Sequence, residues 1–209
     1  MSWGATQVLL KERAAMCDSF EKFGADAPTL CEGWLTLDLA AHLVAREARS
    51  DAAIGLVVPL LAGHLQRVMD KYKERGYDPL VAMLRSGPPW MHRTGPLATA
   101  NVTENFIHHE DVRRPAGEGP RALDREMEDL MWKMLGFGLR KKSLAGVALT
   151  LRASDGREKV LTKDGAPVVL TGEPGELVLF MSGRKEAAVV THDGATDAVA
   201  IVLAAEFGI

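Results

Sequence analysis

The spacing of apolar residues changes once along this chain, near Ser143, and that change limits the fold more than any other feature. Before it, apolar side chains recur at helical intervals. Thr6 to Phe23 places Val8, Leu9, Met16, Phe20 and Phe23 near one face, with Lys11, Glu12 and Lys22 elsewhere. Gly24 is set to close that helix, and Thr36 and Asp38 are set to cap and charge the start of the next. Further helices are expected from about Ser50 to Glu74, broken at Pro59, from Asp78 to Leu84, from Leu97 to Arg113 and from Asp124 to Arg140. Beyond Ser143, Val147-Ala-Leu-Thr-Leu-Arg152 alternates with period two, a turn containing Asp155-Gly156 follows, and Lys159–Thr162 and Val168–Thr171 read as strands. A helix from Glu176 to Gly183, a strand from Ala187 to Thr191 and a helix from Ala195 to Phe207 complete the pattern. The expected fold class is therefore α+β: a four-helix-bundle type of domain over residues 1–143, then a small α+β domain over 144–209.

Composition narrows the function classes. With 209 residues, 47% of them hydrophobic, the chain can bury a sizeable core. A net charge of -3 gives no electrostatic reason to expect nucleic acid as a partner. The longest apolar stretch, Ala52 to Gly63, contains Pro59 and is too short to span a bilayer, so no membrane partner is expected. The start, Met1-Ser-Trp-Gly, has no basic region or long apolar run of a signal peptide. Cys17 and Cys31 form neither a disulfide framework nor a metal-knuckle spacing, which points to reduced thiols and a cytoplasmic setting.

Chemistry concentrates on three residues. Glu104 and His108 are four apart in an apolar segment, Asn101 to Arg114, so they share one helix face. His42, in Asp38-Leu-Ala-Ala-His-Leu-Val44, offers a third ligand from another helix. Together they would make a three-point divalent-metal site with an open coordination position. Taken alone, the spacing favours a solvated Glu–His pair; the apolar neighbours Val102, Phe106 and Ile107, together with Asp111 and His42, raise the ligand reading. Asp111, three residues after His108, joins that face, either as an acceptor that orients the His108 ring or as a partner of Arg114. His109 points about 100° away and is expected on the flank or surface. His64, His92 and His192 read as ordinary helix, turn-adjacent and strand-to-helix positions. Neither cysteine has a base nearby in sequence, and nucleotide-cofactor motifs are absent.

The segment Thr29-Leu-Cys-Glu-Gly-Trp-Leu-Thr-Leu-Asp-Leu-Ala-Ala-His-Leu43, with Glu104-x-x-x-His108-x-x-Asp111 much later, resembles the mycothiol-dependent maleylpyruvate isomerases and their wider DinB-like superfamily. It departs from the common loop at Glu32, where family members usually carry proline. The resemblance implies a DinB-like four-helix bundle, with His42, Glu104 and His108 as ligands of a divalent metal, most often zinc, with nickel also compatible. It implies mycothiol as co-substrate and an isomerase or transferase acting on a small molecule. The stretch Gly172 to Arg184 resembles the sterol-carrier-like domain often appended in this family, and Arg184 is the nearest match to an arginine that assists the substrate carboxylates. A non-catalytic carrier stabilised by its metal, for a small apolar or acidic ligand, is the alternative. A homodimer is open to either reading.

Overall fold

The computed structural model describes residues 3–48, 62–87, 96–136 and 144–207. The chain divides into two compact units, Met1–Gly119 and Pro120–Ile209. The first is helical: α1 (Trp3–Phe23), α2 (Thr36–Ala48), α3 (Ala62–Lys73), α4 (Tyr77–Ser86) and α5 (Pro96–Arg113). Most of the apolar run from Ala52, with Pro59, lies outside the described residues; of the helix expected over Ser50–Glu74, the part from Ala62 is seen.

Helix α1 packs along α5 and against α4, and α2 packs against α3 and α4. The periodic apolar residues meet in one core, including Met16 and Phe20 of α1, Leu39 and Leu43 of α2, and Leu80 and Leu84 of α4. Each such side chain contributes about 1.5–3 kcal/mol by leaving water. Polar ties cross the same core. Arg13 forms a two-pronged pair with Glu47 of α2, both buried, and its Nη1 also donates to the Leu84 carbonyl at 2.7 Å. Gly24 ends α1 as expected, with φ +78 and its N–H on the Phe20 carbonyl at 3.0 Å.

The start of α2 is built differently from the expectation. Thr36 is already helical, and its hydroxyl donates to the Gly24 carbonyl rather than serving as the cap. Asp38 does the capping, accepting the Leu35 N–H at 3.0 Å. The loop between α1 and α2 is short enough for Thr36 to reach back, which takes its hydroxyl away from the helix end.

The second unit contains α6 (Arg125–Met134), β1 (Val147–Ala153), β2 (Glu158–Val160), β3 (Ala166–Gly172), α7 (Pro174–Met181), β4 (Thr191–Gly194) and α8 (Thr196–Ala204). Asp124, expected as a first residue, caps α6 by accepting the Met127 N–H at 3.0 Å. Helix α6 packs on α7, so it falls on the C-terminal side of the division, whereas the change of period places it before residue 143. The sheet has the order β2-β1-β3-β4, with β1 and β3 parallel and both edges antiparallel, so the fold is α+β with a mixed sheet. Val147, Leu149, Leu151 and Ala153 alternate inward as their spacing requires, and Leu149 and Leu151 lie opposite Val168 and Leu170. At the head of that parallel pair, Gly165 (φ +119) lies so close to Gly146 that a Cβ would stand 2.1 Å from its carbonyl.

Two sequence expectations are displaced here. The last strand is Thr191–Gly194, fully exposed, and not Ala187–Thr191; Ala187 and Ala188 instead direct their N–H groups to the Arg184 carbonyl. His192 therefore lies within β4, opposite Leu170, and not in a turn. Among the described residues no helix is long and apolar enough to cross a membrane.

Candidate metal centre

His42 lies midway along α2, between the buried Leu39 and Leu43, so the helix period turns its imidazole inward. The ring is 5% exposed, and the Trp34 ring covers it at a centroid distance of 5.0 Å. Burial, helped by His108 and Arg46, pushes its pKa down to about 3, so it is neutral at physiological pH. Its Nδ1 is buried without a hydrogen-bond partner. Buried polar atoms are seldom left so, and those that are call for a functional explanation.

The α5 residues meet this ring. His108 faces His42 edge-on, with centroids 5.5 Å apart and planes at 70°. Asp111, fully buried one turn on, places Oδ2 2.9 Å from His108 Nδ1. An ionised carboxylate only accepts, so with Asp111 ionised the bond puts a proton on Nδ1 and, in the neutral ring, the lone pair on Nε2. That free nitrogen points toward Glu104, whose Oε2 lies 3.6 Å away, beyond hydrogen-bond reach. Glu104 is the most open of the group, and Arg46 Nε stands 3.8 Å from the same oxygen. The helix spacing thus sets Glu104 beside His108, and His108 faces the His42 ring across from α2.

One neighbour had no signal in the sequence. Cys31 donates its thiol to Asp111 Oδ2 at 3.2 Å, across 80 residues of chain. The turn carrying it is tightly held: Thr29 Oγ1 donates to the Trp34 carbonyl at 2.8 Å, the Trp34 N–H to the Cys31 carbonyl at 2.9 Å, and the Leu30 N–H to the Asp111 carbonyl at 3.0 Å. Among the described residues, the ligand atoms of Cys31, His108 and Asp111 lie within 4.8 Å of one another. Two donors converging on one Asp111 oxygen make this a hydrogen-bonded group around an acceptor, with Nε2 of His108 facing away from it.

His109 corrects the expectation of a flank position. It is buried, with Nδ1 2.8 Å from Glu12 Oε1 and Nε2 2.8 Å from Ser19 Oγ, and so ties α5 to α1. The error arises because α5 is buried on every side from Asn105 to Val112, leaving no solvent face there. Arg114 places its Nε on Glu110 at 2.6 Å, while Asp111 holds His108. His64 is partly exposed on α3. His92 lies outside the described residues. Arg184 follows α7 in the second unit, where Gly183 (φ +87) closes the helix and Arg184 Nη1 donates to the Ser182 carbonyl at 2.7 Å.

No family model and no curated protein sequence matches the chain. Among solved structures, the crystal structure of the mycothiol-dependent maleylpyruvate isomerase is similar over 90% of this chain and 91% of that one, with a TM-score of 0.61 and 17% sequence identity. The chain shares that fold. A crystal structure of a histidine-to-alanine mutant of the mycothiol-dependent maleylpyruvate isomerase is similar over the same shares, with a TM-score of 0.56 and 16% identity.

Proposed function

We propose that this protein is a divalent-metal-dependent enzyme of the isomerase or transferase kind that works with a small thiol, mycothiol by its structural neighbours. The observation that carries the reading is the facing pair of buried imidazoles, His42 and His108, beside a carboxylate. Two imidazoles on one tetrahedral zinc, with Zn–N bonds of about 2.0–2.1 Å, hold their ring centroids roughly 5 Å apart. His42 and His108 stand at 5.5 Å, a separation that suits such an ion once the two rings turn their nitrogens toward it.

In this reading His42, Glu104 and His108 hold the metal, zinc by ligand type and nickel by the same donor set. Bound there, the ion supplies a Lewis acid that favours the thiolate form of a coordinated thiol near neutral pH. The remaining work belongs to the chain. Asp111 fixes the His108 tautomer so that Nε2 offers its lone pair. Trp34 covers His42 and keeps water from that side. Glu104 brings a single negative charge, which leaves a divalent ion net positive toward a thiol. The resemblance to a DinB-like bundle followed by a sterol-carrier-like domain supports, for Arg184 of the second unit, a role toward the carboxylates of a small acidic substrate.

Elemental analysis of the purified protein tests the site. About one metal ion per chain is expected, as for a single three-ligand centre. The His42→Ala and His108→Ala variants should lose it, and His109→Ala, which alters only the α1–α5 tie, should keep it. Stoichiometric metal retained in His108→Ala sinks the assignment. Turnover of an activated, carboxylated double bond that requires mycothiol separates an enzyme from a carrier, which would bind ligand without consuming or transferring it.

A further inference from the structure

The turn from Thr29 to Leu35 touches one histidine of the centre and reaches the other through Asp111. Trp34 lies on the His42 ring, 5.0 Å between centroids. Three residues earlier, Cys31 holds Asp111, which in turn holds His108. The turn is anchored to α5 independently of these side chains, because the Leu30 N–H bonds the backbone carbonyl of Asp111 itself. Cys31 is therefore fixed at the carboxylate by the backbone, and its thiol is aimed by that anchoring at the oxygen His108 already uses.

We propose that Cys31 is a positioning residue for the metal centre, setting the orientation of His108 through the Asp111 carboxylate; this rests on His42, Glu104 and His108 being the ligands. A carboxylate oxygen that accepts from two donors at once has little freedom to rotate. Remove the thiol and Asp111 can swing, and the imidazole it aims swings with it. Partners one bond removed from a ligand typically change metal affinity by about 10–100-fold when lost. Cys31 is a further bond out and its S–H is a weak donor, so its loss belongs at the lower end of that range. The alternative chemistry for the same three residues is direct ligation by the Cys31 sulfur, and the two differ in what a metal would report.

The test uses the full-length protein and its Cys31→Ala, Cys31→Ser and His108→Ala variants, loaded with cobalt(II) and titrated against a competing chelator. Cys31→Ala is expected to bind about tenfold more weakly, with an altered ligand-field spectrum, and Cys31→Ser, whose hydroxyl can still donate to Asp111, to recover most of that loss. The parent protein is expected to show no thiolate-to-cobalt charge-transfer band. Unchanged affinity in Cys31→Ala overturns the proposal, and so does a charge-transfer band that disappears in that variant, which would make the sulfur a ligand. In the metal-free protein, nitrogen-15 spectra of His108 should show one tautomer, protonated at Nδ1, giving way to a mixture in Cys31→Ala. Identical spectra overturn the proposal whatever the metal results. Metal retained by His108→Ala, by contrast, removes the ligand assignment and leaves the effect of Cys31 on the His108 ring to be read from those spectra.

Discussion

Replacing His42 by leucine should make the metal-free protein more stable, and increasingly so in acid. The imidazole is buried with Nδ1 unpartnered, and an orphaned polar group of that kind costs about 1–3 kcal/mol. Leucine fills a similar volume without a polar atom. Losing the ring contact with Trp34 gives back about 0.5–1.5 kcal/mol, which leaves a net gain of about 1 kcal/mol at pH 7. The pH dependence has a definite sign. His42 has its folded pKa lowered from 6.5 to about 3, so between these values the unfolded chain binds a proton that the folded chain refuses. The parent therefore loses stability as pH falls below 6.5, at up to about 1.4 kcal/mol per pH unit, and above 6.5 this contribution is flat. At pH 5 the gap between variant and parent should widen by up to about 2 kcal/mol. Urea unfolding in the presence of a chelator, followed by far-ultraviolet circular dichroism at pH 7 and pH 5, reads both quantities. A variant weaker than the parent at both values, with a gap that does not grow in acid, would show that His42 is satisfied in the fold and is not held there for a ligand.

Two further expectations concern the frame of the centre. Arg13→Met alone should cost about 3–5 kcal/mol in urea unfolding, because it strands the buried Glu47 carboxylate. Pairing it with Glu47→Leu should recover most of that; no recovery would mean that the Leu84 carbonyl, left without its donor, dominates. Gly165→Ala should lower stability by at least about 1–3 kcal/mol, since φ +119 is strained for alanine and the new methyl collides with Gly146. An unchanged melting temperature would mean that the backbone around Gly146 moves enough to absorb the methyl, and would refute the collision.

How much of this could be read from the residues depended on whether a signal was periodic. The shift from period 3.6 to period 2 near Ser143 announced the helical and sheet-bearing parts, because β1 alternates cleanly between core and surface. Glu104, His108 and Asp111 were legible as one face for the same reason. His42 was legible only as a candidate, since nothing in spacing says which helices touch. Strand β4 is an edge of four exposed residues with no apolar alternation, so the eye is drawn to the more hydrophobic Ala187–Val190 instead. The role of Cys31 was invisible, because a contact made across 80 residues leaves no local pattern.

That same separation carries a kinetic consequence. Before Cys31 can meet Asp111, or Leu30 its carbonyl, the intervening chain must close on itself, and closure entropy has to be overcome before these contacts reward it. The turn and the two histidines it holds therefore come together late, after helices built from local contacts. Interactions absent from the folding transition state act on the unfolding rate. A metal in this centre should therefore work as a brake on opening, lengthening the lifetime of the native chain while leaving the speed at which it folds nearly unchanged.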